Sequence, residues 1–392
     1  MTENAQPRKK WEEADSEGRV VDKRQFPELN AFFYSADPSE FIKLRSQVLS
    51  MMAIDDAFLA PAFAVDREIG SMRFSGGGVP PVDARMRYMR TEAVNIVHHA
   101  SETLLRLYFA HIDHPECPWL GMSAPVPFWD FKERVSKALD DGFDADHIAR
   151  LFLGGASPSD AGVDVTEEEF DASIEAYRFL LGVCGDRFVG DAFLYNAVKH
   201  GLTAIDLDDE EARMEWVSHE GERVPMHKGP AHIYLHEKLT PNAKPDEGTW
   251  FMSVEDPNID RDLAVTSMIA YAMDSLWSVA RRDHLGAEGQ IFCMKVGSIE
   301  MSIYGPIQRA ANIMQRMASE LAKVKPDGEV DGTNHHFSIY HIPDDWDPST
   351  EEHAPYIRGV KLPLRSQDVR QPTNRSSAYM PFGPRGFQQG PS

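Results

Sequence analysis

Two pairs of polar side chains, each spaced four residues apart, interrupt otherwise apolar stretches of the chain. Glu102 and Arg106 form one pair, and Asn196 and His200 form the other. Residues four apart lie on the same face of an α-helix. If the two helices pack together, the four side chains meet in one semi-buried cluster. In such a cluster an imidazole can transfer a proton and a guanidinium can stabilise negative charge.

The sequence around these pairs resembles that of HEPN proteins, helical-bundle domains common in bacterial toxin and antiviral systems. The resemblance rests on a long helix carrying Glu-x-x-x-Arg and a later helix ending in Tyr-Asn-x-x-Lys-His-Gly, and it covers about residues 83–205. It implies a helical bundle and a metal-independent ribonuclease. The catalytic residue would be His200, with Asn196, Glu102 and Arg106 in support.

One part of the family's active motif is missing from this chain. Active members carry an arginine four to six residues ahead of the histidine, whereas the nearest upstream arginine here is Arg187, so Arg106 would have to substitute from another helix. Two such polar pairs can also satisfy each other and order a helical core without any chemistry. We therefore expect a non-catalytic scaffold or interaction protein that binds a protein partner or itself as a homo-oligomer. The alternative is the ribonuclease, with RNA as its substrate.

Signs of a metal or cofactor are weak. His111, Asp113, His114 and Cys117 are zinc-ligand types close together in sequence, but they fall at an expected helix end, where histidine commonly bonds to free carbonyls. We find no phosphate-binding loop, nucleophile elbow or dinucleotide fingerprint. The sequence therefore predicts neither a bound metal nor a cofactor.

The charge balance limits the partners that the chain can bind. With 62 acidic and 40 basic residues, its formal net charge is -22, which disfavours broad binding to nucleic acid. The acidic run from Asp206 to Glu211 is expected to be solvated. Five arginines cluster in one stretch and are expected to be exposed helix and loop charges: Arg67, Arg73, Arg85, Arg87 and Arg90.

Cysteine usage and hydropathy suggest a cytoplasmic protein. The three cysteines are isolated, which argues against a disulfide framework. Residues 1–24 lack the apolar core of a secretory signal, and no uninterrupted apolar stretch approaches the length of a membrane span. We accordingly expect no membrane partner.

The pattern of apolar residues predicts a mainly α fold, a multi-helix bundle with a small antiparallel β-sheet in the C-terminal half (α+β). We expect a disordered tail over residues 1–24 and a helical domain over 25–205. A helical region with the small sheet should cover 206–345, and an extended, largely disordered C-terminal arm should cover 346–392. Tyr379, Phe382 and Phe387 could let this arm dock on the chain itself or on a partner.

Particular elements follow from caps and periodicity. Asp37-Pro38 should start a helix, and apolar residues follow it at helical spacing: Phe41, Leu44, Val48, Met51 and Met52. A long helix should run from Asp83 to Ile112, and another should run from Asn258 to Leu285 with Gly286 closing it. Short helices are expected from Asp130 to Leu139 and from Asp146 to Leu153. The remaining expected helices run from Thr166 to Leu181, from Phe188 to His200, and from Pro306 through Met314, Met317 and Leu321. The expected strands are Met214–Ser218, Ala231–Glu237, Thr249–Val254 and His336–His341.

Overall fold

The computed structural model describes residues 21–190, 192–199, 203–207, 213–217, 220–238, 249–323, 328–330 and 334–368. The side chains of residues 216, 238 and 367 are outside this description. His200, Gly201 and the far C-terminal residues from 369 onward also lie outside it.

Helices dominate the first half of the chain, as expected. In chain order they are α1 (Phe26–Phe33), α2 (Pro38–Met51), α3 (Asp56–Ala64), α4 (Val82–Asp113), α5 (Pro118–Ser123), α6 (Phe128–Asp141), α7 (Ala145–Ile148), α8 (Pro158–Ala161), α9 (Glu167–Gly190) and α10 (Ala192–Lys199). A single π-helical turn, Ala149–Leu153, continues from α7. Between α3 and α4 the strands β1 (Arg67–Ile69) and β2 (Met72–Phe74) form a short antiparallel hairpin.

The second half combines strands with two helices. In chain order the elements are β3 (Ala204–Leu207), β4 (Arg213–Val217), β5 (Arg223–Lys228), β6 (Ala231–Lys238), β7 (Thr249–Glu255), α11 (Ile259–Leu285), β8 (Gly289–Met294), α12 (Val296–Ala310), β9 (Met314–Glu320), β10 (His335–Ile339) and β11 (Ile357–Leu362). A 3-10 turn over Ser366–Asp368 follows.

Helices α4 and α11 pack against each other at the centre of the main core. Leu104 and Leu105 of α4 and Met273 and Leu276 of α11 are fully buried. Burial of each such side chain contributes about 1.5–3 kcal/mol. The residues that begin and end α11 are those that the sequence predicts: the Asn258 side chain caps the helix, and Gly286 ends it with a φ of 64°.

The length and composition of α11 would also allow it to cross a membrane. However, 67% of its most apolar stretch is buried inside the protein, as in the core helix of a globular fold. A second candidate combines the segment Lys23–Met51 with α3, and the two halves are bent by 110°. Such helices are weak evidence for a membrane span.

The main sheet is larger than the small sheet that we expected. It has five strands in the order β10-β9-β7-β6-β3, and every neighbouring pair is antiparallel. Three further two-stranded sheets join β1 with β2, β4 with β5, and β8 with β11. The class of mainly helical protein with antiparallel sheets is thus confirmed, whereas the size of the sheet was underestimated.

Three of the expected helices are wrong in extent. The helix expected to start at Pro306 begins at Val296 and ends at Ala310, and the next residue, Ala311, has a left-handed φ of 55°. Met314 and Met317 then lie in β9, because pairing with β7 and β10 overrides their helical spacing. The helix expected to end at Leu181 continues to Gly190 and includes Phe188, where the next helix was expected to begin. The described part of that next helix, α10, begins at Ala192. Gly185 lets Leu139 pack closely against α9, because a Cβ atom there would lie 2.7 Å from the Leu139 side chain.

The beginning of the expected C-terminal arm belongs to regular structure. Strand β11 pairs with β8 over the full register from Ile357 opposite Met294 to Leu362 opposite Gly289. Arg358 reinforces this pairing because it binds the carboxylate of Glu169 on α9. Residues 357–362 are thus held to the core, and the domain boundaries themselves stay predictions.

Candidate functional site

The first predicted pair forms within α4. The Nε atom of Arg106 donates to Oε1 of Glu102 over 2.8 Å, and both side chains are half-buried. The guanidinium also lies over the ring of Phe131, 4.3 Å from its centroid. Glu102 and Arg106 therefore satisfy each other, and a ring from α6 covers the arginine.

The second predicted pair is only half described. Helix α10 packs on α4, as the cluster hypothesis requires, and Leu194 and Val198 bury against Val94 and Tyr234. Asn196 is exposed, while His200 lies outside the described residues. The convergence of Glu102, Arg106, Asn196 and His200 thus stays a prediction.

A different residue of α10, Tyr195, makes the polar contact with α4. The hydroxyl of Tyr195 lies 2.6 Å from Nε2 of His99, and Nδ1 of His99 lies 3.1 Å from Nη1 of Arg45 on α2. Glu92 holds the arginine in place through its Nε atom at 3.2 Å. The Lys199 ammonium lies 5.0 Å from the centroid of the tyrosine ring. Three helices thus meet in a chain of polar contacts that sequence spacing did not reveal.

The proton positions in this chain follow from the donors. A guanidinium only donates, so Nδ1 of His99 accepts from Arg45. In the neutral ring Nε2 then carries the proton and donates to Tyr195. Burial lowers the pKa of His99 and the neighbouring Arg45 lowers it further, which favours this neutral form. Burial raises the pKa of Tyr195, so its hydroxyl keeps a proton that points away from His99.

The neighbouring His98 has a structural position. It is buried, and its ring stacks on Tyr195 with centroids 3.8 Å apart. Burial, followed by the positive charge of Arg187, lowers the pKa of His98 to about 3. A neutral, stacked imidazole of this kind supports Tyr195 and does not exchange protons near neutral pH.

A buried ionic network joins the helices to the sheet, and two sequence-based expectations fail there. Asp206, expected to be solvated, is only 7% exposed and accepts from Nε of Arg90 at 2.8 Å. Arg90, expected to be exposed, is buried. Arg85, also expected to be exposed, is buried outside this network, where it binds the Met52 and Ile54 carbonyls. Nδ1 of the buried His232 lies 3.4 Å from the same carboxylate of Asp206. Arg90 and Asp206 are 116 residues apart, so no local sequence pattern indicates that they pair.

The zinc-ligand types near the end of α4 do not form a metal site. His111 is buried, with Nδ1 2.7 Å from the Leu107 carbonyl and Nε2 2.9 Å from the Tyr34 hydroxyl. Asp113 accepts from Arg134 instead. Within the described part of the chain, no group of three or more histidine, cysteine or acidic side chains is placed to hold a metal ion.

An apolar surface is exposed on consecutive elements of the first half. On α2, Ile42 and Leu49 face the core, whereas a stripe on the opposite side faces solvent. The exposed members on α2, α3 and the hairpin, which we call the α2–hairpin surface, are Phe41, Leu44, Val48, Met51, Ile54, Phe58, Ile69, Met72 and Phe74. These elements are tied together by hydrogen bonds from Arg85 to the Met52 and Ile54 carbonyls and from the Gly77 amide to the Phe63 carbonyl.

In comparisons with known proteins, no family model, no curated protein and no solved structure matches the chain.

Proposed function

We propose that this protein is a non-catalytic interaction protein that forms a homo-oligomer through the α2–hairpin surface. The observation that carries the proposal is the solvent-facing stripe of α2. Phe41 is 64% exposed and Leu44 is 56% exposed, although the other side of the same helix is buried. Large contiguous apolar patches are uncommon on monomers and are typical of interaction sites.

The hairpin between α3 and α4 supports the same proposal. The register pairs Ile69 with Met72 and Arg67 with Phe74, so these side chains share one face, while Glu68 and Arg73 share the other. All of the hairpin residues are exposed. An isolated two-stranded hairpin is marginally stable in water, and an apolar face without cover makes it less so. A partner that covers Ile69, Met72 and Phe74 would stabilise it.

The size of the surface favours a second copy of this chain as the partner. The exposed fractions of the nine side chains amount to about five complete side chains, or on the order of 1,000 Å² at roughly 200 Å² each. A standard interface buries about 800 Å² on each partner. Two-fold homodimers are the most common soluble oligomers, and such an interface uses one surface twice.

The mass of the full chain in solution tests the proposal. We expect analytical ultracentrifugation to give about twice the 44.1 kDa of one chain. Leu44→Lys, on the stripe, should weaken dimerisation by about tenfold or more, since it replaces roughly 1.5–3 kcal/mol of apolar burial with a buried charge.

Leu235 provides a matched control. It is 53% exposed on β6, against 56% for Leu44, and it receives the same substitution in Leu235→Lys. This variant should dimerise like the wild type. A wild type that stays monomeric at high micromolar concentration would refute the proposal, and so would equal weakening by the two variants. Dimer formation that requires added lipid or another protein would point to a different partner class and would also refute it.

A second candidate function is the metal-independent ribonuclease acting through His200. It is supported by the packing of α10 on α4 and by the oriented hydroxyl of Tyr195 beside Lys199, the residue before His200. The pure protein would cleave RNA in the presence of a chelator, and His200→Ala would abolish cleavage. Equal cleavage by both proteins, or none by either, would refute this second proposal.

A further inference from the structure

A cleft between α6 and α9 has a lining that neither proposed function uses. Its volume is about 430 Å³, and its lining is mainly apolar. The lining residues are Ala138, Leu139, Gly142, Phe143, Glu175, Arg178, Phe179, Gly182, Val183, Asp186 and Val296. The cleft is therefore suited to a large apolar side chain.

Gly182 leaves the helix backbone bare at the floor of this cleft. A glycine inside a helix costs about 1 kcal/mol relative to alanine. Gly185, one turn later, has a packing reason, because a Cβ atom there would lie 2.7 Å from Leu139. Apart from the helix's own nearby backbone, a Cβ atom on Gly182 would meet no atom within 4 Å. The internal packing thus does not require a glycine at position 182. A ring that lies directly on the helix backbone would require one, because a side chain there would occupy the same space.

The rim of the cleft is acidic. Asp140 and Asp141, at the end of α6, are exposed next to Gly142, which lines the cleft. Arg178 does not offset these charges, because it binds both carboxylate oxygens of Glu175 at 2.6 and 2.7 Å. Its Nε atom also donates to the carbonyl of Phe143. A basic aromatic segment fits this combination of floor and rim.

The sequence beyond Asp368 has that chemistry. Residues 369–392 carry three arginines and no acidic side chain, and their three aromatic residues are Tyr379, Phe382 and Phe387. The acidic rim attracts this segment, and the apolar floor accepts its rings. We infer that residues 369–392 dock in the α6–α9 cleft of the same chain, with an aromatic ring placed over Gly182.

The path to the cleft is short. The segment leaves the described fold next to Arg365, whose Nη1 donates to the Gly154 carbonyl over 2.9 Å. The chain between Phe143, which lines the cleft, and Gly154 is mostly helical. At 1.5 Å per residue this stretch is about 15 Å long, so Gly154 lies about that far from the cleft. Tyr379 is eleven residues beyond Asp368, and an extended chain of that length spans up to about 36 Å. Docking within one chain therefore needs no partner.

Trypsin cleavage at Arg385 in the full-length protein tests this inference. Gly182→Leu fills the cleft and also improves helix propensity, so loss of docking cannot be attributed to unfolding of α9. Gly182→Ala is the matched control, since it gives the same helix benefit and leaves most of the cleft open. We expect cleavage about tenfold faster in Gly182→Leu than in the wild type, with Gly182→Ala close to the wild type.

A thermal melt would confirm that all three proteins are folded. Equal cleavage rates in the wild type and Gly182→Leu would overturn the inference. Protection that increases with protein concentration would overturn docking within one chain and would indicate docking between two copies. These readouts do not depend on dimerisation through the α2–hairpin surface, because Leu44→Lys can be combined with each Gly182 variant.

Discussion

Acid should destabilise the protein through His111, whose protonation state is fixed by its neighbours. The Leu107 carbonyl only accepts hydrogen bonds, so Nδ1 of His111 carries the proton, and Nε2 accepts from the hydroxyl of Tyr34. Burial lowers the pKa of His111 to about 4, although the Leu107 carbonyl opposes the shift. Protonation of the His111 ring in the folded protein would place a second proton on Nε2, which would then no longer accept the hydrogen bond from the Tyr34 hydroxyl.

The magnitude follows from the difference between the folded and unfolded states. The pKa in the unfolded chain is about 6.5, so below that value the unfolded state binds more protons. The stability from a neutral His111 is therefore complete above about pH 6.5 and is lost as the pH falls towards the folded pKa. Between about pH 7.5 and about pH 5, the loss amounts to about 2 kcal/mol.

Urea unfolding of the wild type and His111→Asn at both pH values isolates this effect. The asparagine keeps a donor near Leu107 and does not titrate, so the stability advantage of the wild type should shrink by about 2 kcal/mol at the lower pH. His353 provides a control of opposite sign. Its hydrogen bond to Glu300 raises its pKa, so the wild-type advantage over His353→Asn should grow at the lower pH. An advantage over His111→Asn that changes by less than ~0.5 kcal/mol would refute the reasoning.

Two further predictions concern stability and are both measured by urea unfolding. Asp206→Ala removes the carboxylate that pairs with the buried Arg90, and it should lower the free energy of unfolding by about 3 kcal/mol. The double variant Arg90→Met, Asp206→Leu should regain most of that stability, because it removes both charges. A loss below ~1 kcal/mol in Asp206→Ala would contradict a buried ion pair. Ala311→Gly should stabilise the protein by about 1 kcal/mol, because Ala311 has a left-handed φ of 55° that glycine adopts more easily. Ala310→Gly, in the helix, is the control and should destabilise the protein by a similar amount. No gain in stability from Ala311→Gly would contradict the left-handed backbone conformation at this residue.

The sequence predicted helices well where local chemistry decides them. The cap at Asp37 and the terminator at Gly286 act within one turn, so their effect can be read from neighbouring residues. The periodicity of α2 predicted a helix but not its orientation. The side chains that pack are Ile42 and Leu49, and the more regular stripe through Phe41 and Leu44 faces solvent.

Non-local contacts account for the failures. Met314 and Met317 have helical spacing, yet two neighbouring strands pair with their segment. Asp206 begins an acidic run that would be solvated in isolation, and only the distant Arg90 makes its burial favourable. The contact of Tyr195 with His99 likewise joins residues 96 positions apart, whereas spacing within one helix directed attention to Asn196.

The pairing of β8 with β11 has a consequence for synthesis on the ribosome. Met294 is made 63 residues before its partner Ile357, which at about 5–20 residues per second is roughly 3 to 13 seconds. During that interval the nascent chain presents the open edge of β8, and neighbouring nascent chains on the same messenger could pair with it. Slow codons between these two strands would prolong the time for which the edge of β8 is unpaired. A chaperone that covers strand edges would reduce pairing between nascent chains during that time.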